Sequence, residues 1–192
     1  MAQRLAQFCH YCLFQLPRSW MQRTRLWQVT SHSERLLAFT ALCITLPSVY
    51  FLAQDALTSQ RLSGDIECMA MNIYHEARGE PIAGQYAVAE VTLNRTHSRE
   101  FPGSVCQVVY QKHWNPQRKE IVYAFSWIGQ STATNFNSAA WRQAREIARA
   151  VLTRERKSTL HGALYYHTID IKPEWARHHK RLGIIGRHIF YL

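Results

Sequence analysis

The 192-residue sequence has no internal repeat and no low-complexity tract, which sets aside solenoid and propeller arrays. It has no zinc-finger spacing, no RNP-type motif and no dense lysine/arginine block, so nucleic acid is the weaker choice of partner. It also lacks a G-x-S-x-G elbow, and no cysteine sits in a setting that suggests a thiolate nucleophile. Acidic side chains are few, 13 Asp/Glu against 23 Lys/Arg, for a net charge of +10. That imbalance favours an anionic partner such as acidic lipid or an acidic polymer. With 47% hydrophobic and 12% aromatic residues, the chain has room for one ordinary domain with a real core, plus an appendage.

The appendage is the one long apolar run, Leu36 to Ala53, which carries no charge. As a helix it would span ~27 Å, close to the ~30 Å hydrocarbon core of a bilayer. Pro47 inside it is better tolerated in a spanning helix than in a soluble one. Arg4, Arg18, Arg23, Arg25 and Arg35 all precede it, against Glu34 alone, and Asp55 follows. The positive-inside rule then keeps residues 1–35 in the cytoplasm as a basic segment and places the rest outside. A retained signal-anchor over 36–53 is the expectation; a cleaved signal peptide or a buried soluble helix are its alternatives.

Residues 54–64 read as a polar linker to a domain over 65–192. Asp65 is a candidate N-cap for "IECMAMNIYHEA", which Gly79 and Pro81 should end. A second helix is expected over "IAGQYAVAEVTLNRT", with Ala87, Val88 and Val91 on one face, and Ser104 can cap a short third. Residues 112–137 look loop-like and aromatic. Ser138 can cap the most amphipathic stretch, where Trp141, Ala144, Ala148, Val151 and Leu152 should face inward and Arg142 should pair with Glu146. Cys9 and Cys12 form an isolated CxxC of no assigned role, and Cys43 lies in the apolar run. Cys68 and Cys106 alone lie beyond it, where an exported compartment permits a disulfide; their pairing stays open.

Chemistry concentrates in "NIYHEARGEP", residues 72–81. The His-Glu pair falls short of a zinc-protease HExxH helix, because Gly79 stands four after His75. A scattered metal site from His75, His167 and His188 is not excluded by spacing. Glu76, at the end of an apolar helix, can instead project into a cleft as a carboxylic acid kept protonated by burial, which is what glycoside cleavage requires of its proton donor. Glu80, before Pro81, is biased to extended backbone and suits a structural role, bonding backbone amides or Arg78. The bland alternative leaves both as solvated carboxylates.

Taken in order, "NIYHEARGEPIAGQYAVAEVTLNR", "FPGSVCQVVYQ", "FSW", "ALYYHT", "KPEW" and "IGRHIFY" resemble the SleB-type cell-wall hydrolases, a family that includes the spore-cortex-lytic enzymes. The resemblance covers roughly residues 66–192. It implies an α+β, mostly helical, lysozyme-like domain akin to goose-type lysozymes and lytic transglycosylases, following the transmembrane helix. It also implies peptidoglycan glycan strands as substrate and Glu76 as the catalytic acid; on the residues themselves, no cofactor or metal is expected. One departure is Ile128-Gly129 where the family often has Cys-Asp after "FSW", so a disulfide from Cys106 to that position is impossible here.

The implied reaction cuts the bond between N-acetylmuramic acid and N-acetylglucosamine. With no second acid evident near the motif except Glu80, a lytic transglycosylase giving 1,6-anhydro products is expected over a hydrolase. Tyr165, Tyr166 and Trp175 would offer flat faces to sugar rings, and Gln85, Asn94 and Ser126 would bond hydroxyl or acetamido groups. His167 would position substrate or bond Glu80. The expected location is the inner membrane, single-pass, with the catalytic domain in the periplasm or outside the cell. The alternatives are a zinc-dependent N-acetylmuramoyl-L-alanine amidase and a non-catalytic peptidoglycan-binding module.

Overall fold

The structure is a computed structural model and describes residues 32–116, 119–130 and 133–192. Most of the basic segment 1–35, with Cys9 and Cys12, lies outside the described residues. The chain divides into two units, Met1–Ala56 and Leu57–Leu192. In the first, the described residues are helical and their large apolar side chains from Leu36 to Leu52 are exposed. By length and composition this stretch is able to cross a membrane.

The helix begun there, α1 (His32–Ala77), contains Pro47 and runs through residues 54–64. The expected linker is therefore helical, and Asp65 lies inside the helix rather than capping a new one. The composition explains this: Gly64 is the only breaker between residues 54 and 64, and one interior glycine costs only ~1 kcal/mol against alanine. The helix ends where the sequence indicates, before Gly79 and Pro81.

In the second unit α1 is followed by α2 (Ile82–His97) and α3 (Val105–Val109). A hairpin of β1 (Lys112–Asn115) and β2 (Glu120–Tyr123) comes next, then a 3₁₀ turn, Ser126–Gly129, and α4 (Ala139–Leu152). Last come β3 (Tyr165–Thr168), a 3₁₀ turn at Glu174–His178, β4 (Arg181–Ile185) and β5 (His188–Tyr191). The strands make two small antiparallel sheets, β1-β2 and β3-β5-β4, so the unit is mostly helical with segregated sheets. The hairpin corrects the loop expected over 112–137; four-residue strands leave too little alternation to register as a period of two.

Helix α2 organises the interior. Gly84, Gln85 and the six residues from Ala87 to Thr92 are buried, which is burial nearly all round rather than along one stripe. One face joins Met69, Ile73 and Tyr74 of α1 and Trp141, Ala144, Ile147 and Ala148 of α4 in the main core. The other meets Leu160, Ala163 and Phe190, so the sheet packs on it. Its small side chains are what let both neighbours approach. Ser138 caps α4 by accepting from the Trp141 amide at 3.1 Å, and Ser104 caps α3. Arg142, expected to pair with Glu146, donates instead to the Asn137 carbonyl at 2.8 Å. Cys68 of α1 and Cys106 of α3 are disulfide-bonded, with Cα atoms 5.2 Å apart.

Glu90 is a buried acid that the sequence did not flag. Its carboxylate accepts the backbone amides of Thr159 and Leu160 and the Ser158 hydroxyl, each at 2.9 Å. It therefore replaces the ladder bonds that the irregular 158–160 segment lacks. Glu90→Ala would leave two amides without their acceptor, and a loss of about 3 kcal/mol is expected in a chemical-denaturation measurement.

Candidate active site

Four elements converge at the C-terminal end of α1. Glu76 stands in its last turn, and Asn72, one turn earlier on the same face, is fully buried. The Asn72 amide donates to Thr92 of α2 at 3.1 Å and accepts from the Trp127 indole at 3.3 Å. These bonds tie the Glu76-bearing turn to α2 and to the Ser126–Gly129 turn. Strand β3 brings the Tyr166 hydroxyl to Glu76, donating to Oε2 at 3.3 Å. Helix α2 contributes Arg95, whose Nε donates to the Leu164 carbonyl at 2.8 Å and whose guanidinium lies over Phe101 and Phe125.

Together they line a cleft of about 300 Å³ whose walls include Glu76, Arg95, Ser126, Tyr166, His188 and Trp175. Among the described residues, Glu76 is the only acid in its wall. Burial raises the Glu76 pKa above the ordinary carboxyl value, while the Tyr166 hydroxyl and the Arg95 charge pull it partway back. Burial and the neighbouring Glu76 hold the Tyr166 phenol well above its ordinary value, so Tyr166 stays neutral and acts as a donor. The arrangement is a partly desolvated carboxyl with one neutral donor and one cation beside it, able to hold a proton and to exist transiently as a carboxylate.

Of the residues singled out from sequence, Glu76, Ser126, Tyr166, His167 and Trp175 line this cleft, and four others lie elsewhere. The Glu80 carboxylate accepts the Arg187 amide at 2.8 Å, at the tight turn joining β4 to β5. A side chain at Gly186, which has φ +60°, would collide with that carboxylate, so glycine is required both for the backbone and for the latch. Gln85 bridges the Glu80 carbonyl and Gln143 of α4, at 3.0 Å each. The Asn94 amide is held by the Leu160 and Ala163 carbonyls, 3.1 Å each. Tyr165 faces the opposite side of the sheet and donates to Glu100 at 2.7 Å.

His167 does not bond Glu80. Its Nδ1 meets the Thr168 carbonyl at 2.7 Å and must donate there, which leaves Nε2 to accept from the Tyr191 hydroxyl at 2.9 Å. His75 stacks on Trp127 at 4.5 Å and bonds Thr134, while His188 packs edge-on against Tyr166. The scattered metal set is thus not assembled, and among the described residues no three His, Cys, Asp or Glu side chains come together to hold an ion. Arg95, Phe125 and Asn72 were missed, and His188, which lines the cleft, was named only as a possible metal ligand. Arg95 carried at most a weak signal, as one of two charges, with Glu90, inside a helix rich in small and apolar residues.

A family model described as "Cell Wall Hydrolase" matches residues 79–191; the match begins three positions beyond Glu76. The spore cortex-lytic enzyme of Bacillus subtilis (strain 168) is 31% identical over 148 residues, covering 71% of this chain and 42% of that protein. The spore cortex-lytic enzyme of Halalkalibacterium halodurans is 35% identical over 129 residues, 66% of this chain and 34% of that one. Among solved structures, the catalytic domain of the germination-specific lytic transglycosylase SleB from Bacillus anthracis aligns with a TM-score of 0.51 at 31% identity, over 67% of this chain and 93% of that domain. The chain spans less than half the length of these curated relatives.

Proposed function

Because this chain belongs to the cell wall hydrolase family, we propose that it cleaves peptidoglycan glycan strands as a lytic transglycosylase, on a lysozyme-like domain, with Glu76 as its single acid and base. The observation that carries the chemistry is the lone, partly desolvated carboxyl in the cleft, with Tyr166 and Arg95 beside it. Likeness to a domain whose name is lytic transglycosylase supports the substrate and reaction class.

Glu76, protonated, donates to the oxygen linking N-acetylmuramic acid to N-acetylglucosamine, and that C–O bond breaks. Positive charge develops at the muramic C1, balanced by the Glu76 carboxylate, which Tyr166 and Arg95 stabilise. The C6 hydroxyl of the same sugar attacks C1 and passes its proton to Glu76. The C1–O6 bond closes a 1,6-anhydro ring and the acid is restored. A hydrolase would instead need a positioned water, often held by a second carboxylate, and among the described residues no other acid lines the cleft.

Product identity tests this reading. Muropeptides released from purified sacculi should carry 1,6-anhydro ends by mass spectrometry. Reducing ends would make the enzyme a muramidase, free stem peptides would make it an amidase, and binding without release would leave a wall-binding module.

A pH prediction follows from the hydrogen bond to Glu76. The active form holds the proton, so activity falls as pH rises through the Glu76 pKa. Removing the Tyr166 hydroxyl removes an interaction that favours the carboxylate, so the pKa rises. Tyr166→Phe is expected to move the alkaline limb of kcat/KM to higher pH while lowering the maximal rate about ten-fold. A limb that stays in place would separate Tyr166 from Glu76.

The membrane reading belongs to the same proposal. The exposed apolar helix within 36–53 anchors the chain in the cytoplasmic membrane, and the arginines before it hold the N-terminus inside. The second unit then works on the wall side. The Cys68–Cys106 disulfide supports an oxidising compartment for it.

A further inference from the structure

We propose that the β1-β2 hairpin is a distal glycan subsite, with the Trp114 indole as the platform that carries a peptidoglycan strand beyond the cleft. This inference rests on the glycan-cleaving reading above. The pairing sets Lys112 opposite Tyr123 and Trp114 opposite Ile121. Residues two apart share a strand face, as do cross-strand partners, so all four side chains lie on one face of the ribbon.

That face is open. Trp114 is 62% exposed, Ile121 57% and Tyr123 37%, although two-stranded ribbons depend on packing for their stability. An indole, an aliphatic side chain and a phenol left in solvent side by side are an unusual use of large apolar groups. The Lys112 ammonium sits 5.6 Å over the Tyr123 ring, which adds a cation to the same surface. Flat apolar faces suit the C–H faces of sugar rings, and the cation suits the carboxylates that muramic acid and its peptides carry.

Continuity with the cleft names the occupant. Tyr123 is followed directly by Ala124, Phe125 and Ser126, all of which line the cleft around Glu76. Ile121 and its partner Trp114 lie three residues back along β2, ~10 Å at the rise of a strand. A cleft of about 300 Å³ is at the small end for a ligand site, so most of a polymeric glycan must lie outside it.

The test uses the full chain in detergent, carrying Glu76→Gln so that ligand is not consumed. Its affinity for peptidoglycan tetrasaccharide and octasaccharide fragments is measured by calorimetry, with and without Trp114→Ala. The octasaccharide should bind about ten-fold more tightly than the tetrasaccharide, and Trp114→Ala should abolish most of that difference. The exposed position predicts an unchanged Tm for the substitution. A length increment that survives Trp114→Ala overturns the subsite. So does a hairpin that binds anionic phospholipid vesicles, or pairs two copies, with the increment intact. Failure of the parent protein to bind either fragment would overturn the glycan reading itself, which is a different outcome.

Discussion

Glu76→Gln is expected to lower the release of soluble muropeptides from sacculi by at least ~1,000-fold, within the range general acid catalysis supplies. The substitution keeps the shape, and its carbonyl can still accept from Tyr166, but it has no proton to donate and cannot become a carboxylate. Both steps of the proposed reaction depend on that one group, so no partial activity should remain from the second step. Stability should move the other way. The folded Glu76 pKa is raised, so the folded state holds a proton that the unfolded chain releases as pH rises. This group therefore weakens the fold progressively between the unfolded and folded pKa values, and fully above the latter. The glutamine variant should be at least as stable as wild type at and above neutral pH. Loss of activity with a retained or raised Tm separates a catalytic role from a structural one.

Removing the disulfide should have the largest effect on stability. Cys68 and Cys106 are 38 residues apart in sequence, and the chain-entropy relation for a loop of that size gives about 4 kcal/mol. For a domain of this length that corresponds to a fall in Tm of roughly 10–20 °C for Cys68→Ser with Cys106→Ser. The bridge joins α3 to α1 two turns before Glu76, on the helix that positions the acid. Activity measured well below the lowered Tm should be largely retained, because Asn72 still holds the Glu76 turn through Thr92 and Trp127. A variant that melts within a few degrees of wild type would mean the reduced chain is already held by packing alone.

Much of this was legible in the sequence, and the misses have physical causes. The Glu76 helix was readable because its apolar spacing and its Gly79 and Pro81 stop agree. Helix α4 was readable for the same kind of reason, from a serine cap followed by a 3.6-residue apolar stripe. Arg95 was missed while its neighbour Asn94 was chosen: adjacent helix positions point ~100° apart, and nothing local says which of the two faces the cleft. Tyr165 and Tyr166 pose the strand version of that problem, since adjacent residues take opposite faces and only packing on α2 decides which is inward. Glu80 was foreseen as a ligand for backbone amides, but its partner, Arg187, is 107 residues away. Glu90 gave no signal because two of its partners are backbone amides, which have no sequence signature, and the Ser158 hydroxyl lies 68 residues away. The interrupted helix expected at 54–64 reflects too much weight on polarity, where the absence of proline mattered more.

Isotope labelling tests the central claim, that the glycan itself rather than water completes the reaction on a single carboxyl. Sacculi would be digested by the full chain in water enriched in oxygen-18, and the released muropeptides analysed by mass spectrometry. The account predicts anhydromuropeptides without label, because the muramic O6 and not solvent oxygen ends on C1. Reducing-end products carrying one oxygen-18 at C1 would contradict it, and would require water held by a group other than a second carboxylate, since among the described residues Glu76 is the one acid in the cleft wall.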